Sequence, residues 1–397
     1  MRQSYDAVVV GAGPAGSVAA RRLAERGFRV LLIEKRQEIG VPVRCAEAVG
    51  ADSTRPYIEI DDRWVKARVS TYSIHSASGA CVKIPPTEPT LVVDRKVFDW
   101  ELARLASQAG AEVRTRTEAT GLLIEQASVV GIRVNSLGRS SEVQARLVIA
   151  ADGIESQVAR WAGLKTMPPM ADYYVGFQYL LGNLRGRFDP TNCEYHLDQQ
   201  AFPGGYGWVF PKGDDTANVG LVIAANRAGD VSAQRLLDRF VERKYPEAHI
   251  LGAVAGGVSA TGALKKMVTS GLVAVGDAAH QADPLTAGGI NLGMIGADLA
   301  SQVAADALAR GDVSARVLSE YETRWQNRFG AQHRALYRIR KLLTQMEEKQ
   351  LAHLINVASG LPLQTMGLRE LIFTLFKTEP RLLAEVGTLV TTGLILK

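Results

Sequence analysis

Apolar positions open the chain as a continuous run and then change period. Val8, Val9 and Val10 form a block suited to a strand buried on both faces. Pro14 to Arg26 reads as a helix, and Arg29 to Ile33 as a second apolar strand. Lys35 to Gly50 is polar and punctuated by glycine and proline, so it reads as a loop. Residues 64–93 alternate in short runs, as antiparallel strands do. Asp94 to Ala109 returns to helical spacing, with Val97, Trp100, Leu102 and Leu105 expected on one side. Glu112 to Gly121, Leu122 to Val134 and Glu142 to Ala151 read as strands and a hairpin. From 166 to 260 strand-like runs (YYVGFQYLL, NCEYHLD, GYGWVFPK, TANVGLVIAA) alternate with turns, and Ser232 to Lys244 makes one amphipathic helix. GLVAVG at 271–276 is another buried strand, followed by a helix of small residues from Leu292 to Leu308. Beyond Arg316 the pattern is helical to Glu348, with later apolar segments at Leu351 to Ile355, Glu370 to Phe376 and Leu382 to Ile395. Core packing is the default reading of those segments. Their basic flanks also suit a helix lying on anionic lipid.

The first two strands and their helix carry chemistry. Gly11, Gly13 and Gly16 follow the strand in the G-x-G-x-x-G pattern, with Pro14 and Ala15 opening the helix. Gly11 permits the turn, Gly13 lets a pyrophosphate approach, and Gly16 lets helix and sheet pack closely. The helix start aims bare N–H groups at phosphate. Glu34 ends the second strand, 18 residues beyond Gly16, where a carboxylate can accept ribose hydroxyls. Such an acid favours FAD or NAD over NADP. The stretch alone does not choose between the two.

Further sites fall at strand ends. Asp152-Gly153 closes an apolar strand as a turn into a crevice, followed by Glu155, Ser156 and Arg160. Gly276-Asp277 closes another, and Gly288-Gly289 precedes the long helix, where bare N–H groups can meet an anion. Tyr206, Trp208 and Phe210 share one strand face at period two; a stripe turned to the core is the plainer reading. Pro211 ends that strand's ladder or puts it at an edge. Cys45 lies in the polar loop beside Arg44 and Glu47. It is either a small buried filler or a site residue whose thiolate Arg44 favours. Arg95, opening a helix, either holds a phosphate or the flavin side or is a solvated surface residue.

A chain of 397 residues holds two or three domains. Its 47% hydrophobic and 22% charged content is that of an ordinary folded core. A net charge of +5 suits an anionic cofactor, head group or membrane surface. Nucleic acid is disfavoured, since no basic block is interleaved with aromatics. Three cysteines without a CxxC pair argue against a disulfide framework or a metal site and for a reducing compartment. The N-terminus runs straight into the first strand, so no signal peptide is expected. No apolar stretch reaches transmembrane length.

GAGPAG with Glu34, Asp152-Gly153, and Gly276-Asp277 followed by Asp283-Pro284 resemble the FAD signatures of the para-hydroxybenzoate hydroxylase superfamily. Pro42 to Val49 (PVRCAEAV) and YGWVFPK further resemble the geranylgeranyl reductase family, including its archaeal digeranylgeranylglycerophospholipid reductases. Alanine stands at 46, 48 and 287, where archaeal members often have glycine.

The resemblance implies an α/β fold: a Rossmann-like FAD-binding domain with an α+β second domain. The FAD-binding domain is expected at 1–60, 90–165 and 261–310, an antiparallel-sheet substrate domain at 61–89 and 166–260, and a helical C-terminal region at 311–397. It implies FAD at Ala15, Glu34, Cys45, Ala46, Arg95, Ala119, Asp277, Gly289 and Ile290, with Gly11, Gly13, Pro14, Gly16, Lys35, Arg44, Asp152, Gly276 and Gly288 completing the set. Glu34 would take ribose, Asp277 the ribityl or pyrophosphate side, and the helix after Ile290 would point its N-terminus at the flavin O2. The implied reaction saturates isoprenoid double bonds, with a membrane glycerophospholipid precursor as the substrate. Cys45 then becomes a catalytic candidate with Tyr206 and Trp208. Tyr206, Trp208 and Phe210 line the prenyl slot, and Lys212 and Arg44 balance flavin or head-group charge.

The electron donor stays open among NAD(P)H, ferredoxin or a similar carrier, because no second G-x-G-x-x-G unit follows. A cytoplasmic protein held peripherally on the inner face of the cell membrane is expected. An aromatic monooxygenase would share the FAD motifs without needing Cys45 or YGWVFPK. A halogenase would carry a W-x-W-x-I-P signature where this chain has Tyr206 and Phe210. A reductase of a prenylated quinone or chlorophyll precursor, or a lipid-binding protein with a structural flavin, also remains.

Overall fold

A computed structural model describes residues 3–362. The expected apolar segments Glu370 to Phe376 and Leu382 to Ile395 lie outside the described residues.

The opening block becomes the strand Ser4–Val10, in which Ala7, Val8 and Val9 are fully buried. It runs parallel to Val30–Ile33 on one side and to Arg139–Ala150 on the other. Together with Glu112–Arg114, Leu272–Ala274, Val268–Thr269 and the hairpin Thr117–Glu125/Ser128–Ser136 they make an eight-stranded sheet. The helix Pro14–Glu25 packs on it, between the helices Ile290–Arg310 and Arg95–Gln108. Strands with both faces covered need no alternation, which is why they read as continuous apolar runs.

The second sheet has seven strands, in the order His249–Ser259, Tyr173–Gly182, Ala217–Ala224, Tyr206–Pro211, Asn192–Leu197, Thr71–Ser76, Cys81–Ile84. All pairings are antiparallel except Asn192–Leu197 with Thr71–Ser76. Its faces separate by period two. Leu181, Val209, Val219 and Leu221 pack beneath the helix Ala233–Lys244, against Leu237 and Phe240. Tyr174, Trp208, Phe210 and Val222 occupy the opposite face, with Tyr72, Tyr195 and Tyr206 against them. Pro211 ends the ladder of an interior strand, where its missing N–H is tolerated.

Several expectations need correction. Residues 64–93 divide between two sheets: Val65–Val69 and Thr90–Val93 join Ala48–Gly50 in a separate three-stranded sheet. In the helix Arg95–Gln108 the buried stripe runs through Phe98, Leu102 and Ala106, at i, i+4 spacing. Trp100 lies about 200° round the helix from Phe98 at ~100° per residue, and it is 51% exposed. The strand His249–Ser259 goes unseen in the sequence because its glycine-rich stretch carries little strand propensity. Its place is fixed by the ladder to Tyr173–Gly182.

The C-terminal region begins with the short helices Ala315–Leu318 and Glu320–Trp325, then a π-turn at Gln326–Gly330. The helices Ala331–Leu343 and Glu348–Ser359 follow. Leu351, Leu354 and Ile355 are buried, and Leu351 and Ile355 pack on Val82 and Ile84 of the far edge strand. Among the described residues, no helix is long and apolar enough to cross a membrane.

On the strand Asn192–Leu197, Glu194 meets His196 at 2.9 Å and Lys244 at 3.0 Å. Burial alone would raise its pKa, but these two partners outweigh burial and hold it at about 2. The resulting stabilisation is complete above the ordinary carboxylate value and is lost as pH falls toward 2. Glu194→Gln should therefore lower stability by roughly 1–3 kcal/mol at pH 7. In urea denaturation the gap to the parent should close as the buffer is taken down through pH 4 toward 2.

Candidate active site

The glycine turn is set by close approach. A Cβ on Gly16 would lie 1.9 Å from the Gly11 carbonyl oxygen, so only glycine lets the helix start so near the strand end. Gly16 thus serves packing and lies off the cavity. Around a Cβ on Gly13 there is nothing within 4 Å, which leaves the turn open toward a ligand. A cavity of about 250 Å³ begins here, lined by Gly11, Gly13, Glu34, Lys35, Ala119 and Asp152. Glu34 accepts the Ala12 N–H at 3.2 Å and the Arg36 N–H at 2.9 Å. Asp152 accepts the Val158 N–H through Oδ2 at 3.0 Å, while its buried Oδ1 has no partner. A buried acceptor of this kind is costly unless something donates to it. The ribose and phosphates of a dinucleotide fit this donor and acceptor set. Lys35 is turned to an ion pair with Glu155.

This cavity runs into a larger one of about 760 Å³, the two sharing Gly13, Arg44, Arg95 and Asp277. Pro14, Ala15, Cys45, Ala46, Gly276, Gly288, Gly289 and Ile290 form the wall on the nucleotide side. Opposite stands the aromatic face of the seven-stranded sheet: Tyr206, Trp208 and Phe210, as anticipated, with Tyr72, Tyr174 and Tyr195. Tyr195 is the hub, its ring 5.3 Å from Phe210, 5.7 Å from Tyr206 and 6.0 Å from Tyr72. The stripe therefore turns toward the slot as well as the core. Tyr206 donates its hydroxyl hydrogen bond to the Thr286 carbonyl, and burial raises its pKa above the ordinary phenol value. Asp277 is also pushed up by burial, with Arg95 opposing. In the same loop Ala287 adopts φ 59°, a left-handed conformation that glycine takes without cost.

Cys45 is half-buried, and its Sγ accepts the Glu47 N–H at 3.2 Å. Burial raises the thiol pKa; Arg95 opposes this and does not win. The expected activation by Arg44 is thereby corrected: Arg44 turns to Glu155 at 3.5 Å, and burial holds the thiol pKa above its ordinary value. Arg95 is not a surface residue. It grips Asp99 in a fork at 3.0 and 2.6 Å, with both side chains largely buried.

Lys212, expected near flavin or head group, is instead committed to Glu47. Its Nζ lies 2.8 Å from Glu47 Oε2 and donates to the Val93 carbonyl at 2.7 Å. Glu47 accepts also from Asn218 Nδ2 at 2.7 Å and from the Arg95 N–H at 2.9 Å, and it holds φ 74°. PVRCAEAV and YGWVFPK are thus joined by a buried ion pair.

Residues 172–258 match the geranylgeranyl reductase catalytic domain, and 9–58 match an NAD(P)-binding Rossmann-like domain. A digeranylgeranylglycerophospholipid reductase of Methanosarcina acetivorans is 42% identical across 98% of this chain and 97% of its own. The chain belongs to the geranylgeranyl reductase family. A geranylgeranyl bacteriochlorophyll reductase-like structure from Thermoplasma acidophilum superposes with a TM-score of 0.93 at 33% identity, covering 98% of this chain and 99% of that one. The myxobacterial chondrochloren halogenase, an FAD-dependent enzyme, shares the fold at TM-score 0.70 and 20% identity, covering 95% and 97%. The family is one of oxidoreductases, and its Rossmann-like fold is common to flavin-dependent enzymes.

Residues that the sequence reading passed over include Gln178, Tyr195 and Asn218. Gln178 and Asn218 are lone amides inside the apolar runs YYVGFQYLL and TANVGLVIAA. A buried amide in a strand must find partners, and that is the signal they offered. Lys212→Met should strand Glu47 as an unpaired buried carboxylate and cost about 3–5 kcal/mol in urea denaturation. Adding Glu47→Gln should recover part of that loss. Ala287→Gly should raise stability by about 0.5–1 kcal/mol, read as a higher melting temperature.

Proposed function

We propose that this protein is an FAD-dependent reductase that saturates the double bonds of geranylgeranyl chains on a membrane glycerophospholipid precursor. One observation carries the reading: a dinucleotide cradle opens directly into an aromatic, largely apolar slot at Cys45. The name of the Methanosarcina acetivorans relative supports the substrate class. Glu34 would hold ribose, and the orphaned Asp152 oxygen would accept from the cofactor. Gly288, Gly289 and Ile290 would turn the start of the helix Ile290–Arg310 toward the flavin ring.

When bound and reduced, FAD supplies a hydride to one alkene carbon. The other carbon needs a proton, and an isolated alkene has no carbonyl to hold charge as it develops. The chain must therefore exclude water, align the alkene and keep a donor protonated. Tyr72, Tyr195, Tyr206, Trp208 and Phe210 would form the walls that align it. Cys45 would keep a proton on Sγ, which the raised thiol pKa supports. Electrons would come from NAD(P)H, ferredoxin or a similar carrier. Excess basic charge suits a cytoplasmic protein resting peripherally on an anionic membrane face.

Cys45→Ser and Cys45→Ala should keep FAD but lose roughly 100-fold or more of alkene reduction. The assay is mass spectrometry of geranylgeranyl glycerophospholipids incubated with dithionite-reduced enzyme, where turnover appears as mass gains in steps of two hydrogens. No mass gain with the parent protein would overturn the substrate assignment, and unchanged turnover in both variants would remove Cys45 from the chemistry.

A further inference from the structure

The cysteine loop has a second anchor, on the substrate side of the slot. Gln178 sits in the strand Tyr173–Gly182, is 6% exposed and lines the larger cavity. Its Oε1 accepts the indole N–H of Trp208 at 3.0 Å. Its Nε2 donates to the Cys45 backbone carbonyl at 3.0 Å. An indole N–H can only donate, so the amide oxygen must face Trp208. The amide nitrogen is then left for Cys45, and the orientation of Gln178 is fixed by its partners rather than chosen. No neighbouring residue type could replace it simply: the position demands one acceptor and one donor, about one side-chain amide apart. Trp208 is itself clamped, its ring lying over Gly220, where a Cβ would come within 2.3 Å of it.

We propose that Gln178 is a positioning residue for reduction: with Trp208 it forms a relay that sets the Cys45 loop according to the wall that meets the prenyl chain. The proposal rests on the reductase reading for its catalytic consequence, but not for its geometry. Trp208 presents its ring to the slot and its N–H to Gln178, so the wall that meets a bound chain and the backbone carbonyl of the cysteine are held in one hydrogen-bonded chain. The Glu47–Lys212 pair holds the loop two residues further on. Cys45 is thus held directly at its carbonyl and again through Glu47, and the Gln178 tie is the one that continues to Trp208.

Four variants of the full-length FAD protein test this. Gln178→Leu removes donor and acceptor at similar volume, and Trp208→Phe removes the indole N–H but leaves an aromatic ring. Both should bind FAD stoichiometrically by absorbance. Each should slow single-turnover reduction of a geranylgeranyl glycerophospholipid by roughly 10- to 100-fold, and in Gln178→Leu, which leaves the aromatic walls intact, the half-saturating lipid concentration should be little changed. The double variant should lose no more than the worse single one, because both break one relay.

A readout independent of turnover is iodoacetamide labelling of Cys45, followed by peptide mass spectrometry to separate it from Cys81 and Cys193. Release of the loop should raise its labelling rate severalfold in each single variant.

Gln178→Glu adds an acid test. Ionised, the new side chain accepts from Trp208 but cannot donate to Cys45; protonated, it can do both. Its turnover relative to the parent should therefore rise as pH falls. The titratable and charged groups sharing the cavity with it are Arg44, Cys45, Glu47, Tyr72, Arg95, Tyr174, Tyr195, Tyr206, Asp277 and Arg340. The parent has all of them too, and Gln178→Leu, which adds no titrating group, is the control whose ratio to the parent should stay flat over the same pH range.

Losses that multiply in the double variant, unchanged Cys45 labelling in Gln178→Leu, or a pH-independent ratio for Gln178→Glu would each overturn the relay. If the parent reduces no prenyl lipid, the reductase reading fails, and the labelling rates alone decide the relay.

Discussion

The site depends on where one buried carboxylate finds its donors. Glu47 draws Lys212, Asn218 and the Arg95 backbone N–H onto two oxygens. Those donors belong to the end of the signature strand, to its neighbour Ala217–Ala224 and to the start of the helix Arg95–Gln108. A charge removed from water is tolerated only when such donors surround it. The packing that satisfies Glu47 is therefore the packing that brings the sheet face and the nucleotide-binding layer together. Cys45 stands two residues away, and its sulfur accepts the N–H of the same Glu47. The position of the thiol follows from the electrostatics of its neighbour.

That constraint explains why the two motifs belong together. A loop ending in a left-handed glutamate would be an expensive conformation by itself. The lysine of YGWVFPK holds it there, and the aromatic residues of the same strand face the slot the loop overhangs. Strand register does the rest, since Tyr206, Trp208 and Phe210 reach the cavity while Val209 goes to the opposite core.

Much of the frame was legible because it is local. Strand, turn, helix and terminal acid from Val8 to Glu34 declare themselves through period and spacing, and the apolar runs of the second sheet do the same. What was not legible is pairing across the fold. Nothing in the sequence assigns Lys212 to Glu47 rather than to a ligand, or shows that Arg95 is spent on Asp99. Adjacency suggested Arg44 as the partner of Cys45, yet Arg44 goes to Glu155 and Arg95 stands nearer the sulfur. The strand His249–Ser259 was hidden for a different reason: its glycines are there to let a ring or a loop come close. A Cβ on Gly257 would meet the Tyr173 hydroxyl at 2.1 Å. Such a strand is specified by its neighbours and not by its own propensity.

The titration of the slot follows from its apolarity. Burial raises the pKa of Cys45, Tyr195 and Tyr206 alike, so the proton-bearing groups facing it keep their protons across the neutral range. An enzyme that needed a thiolate nucleophile would have to oppose this with a committed cation. Here the nearby candidates are neutralised, Arg95 by Asp99 and Lys212 by Glu47. The environment favours the protonated forms, which accords with the proposed role of Cys45 as the proton donor to an unactivated alkene. The same burial that makes the slot apolar raises the thiol pKa, so the two properties the proposed reaction asks for have one physical cause.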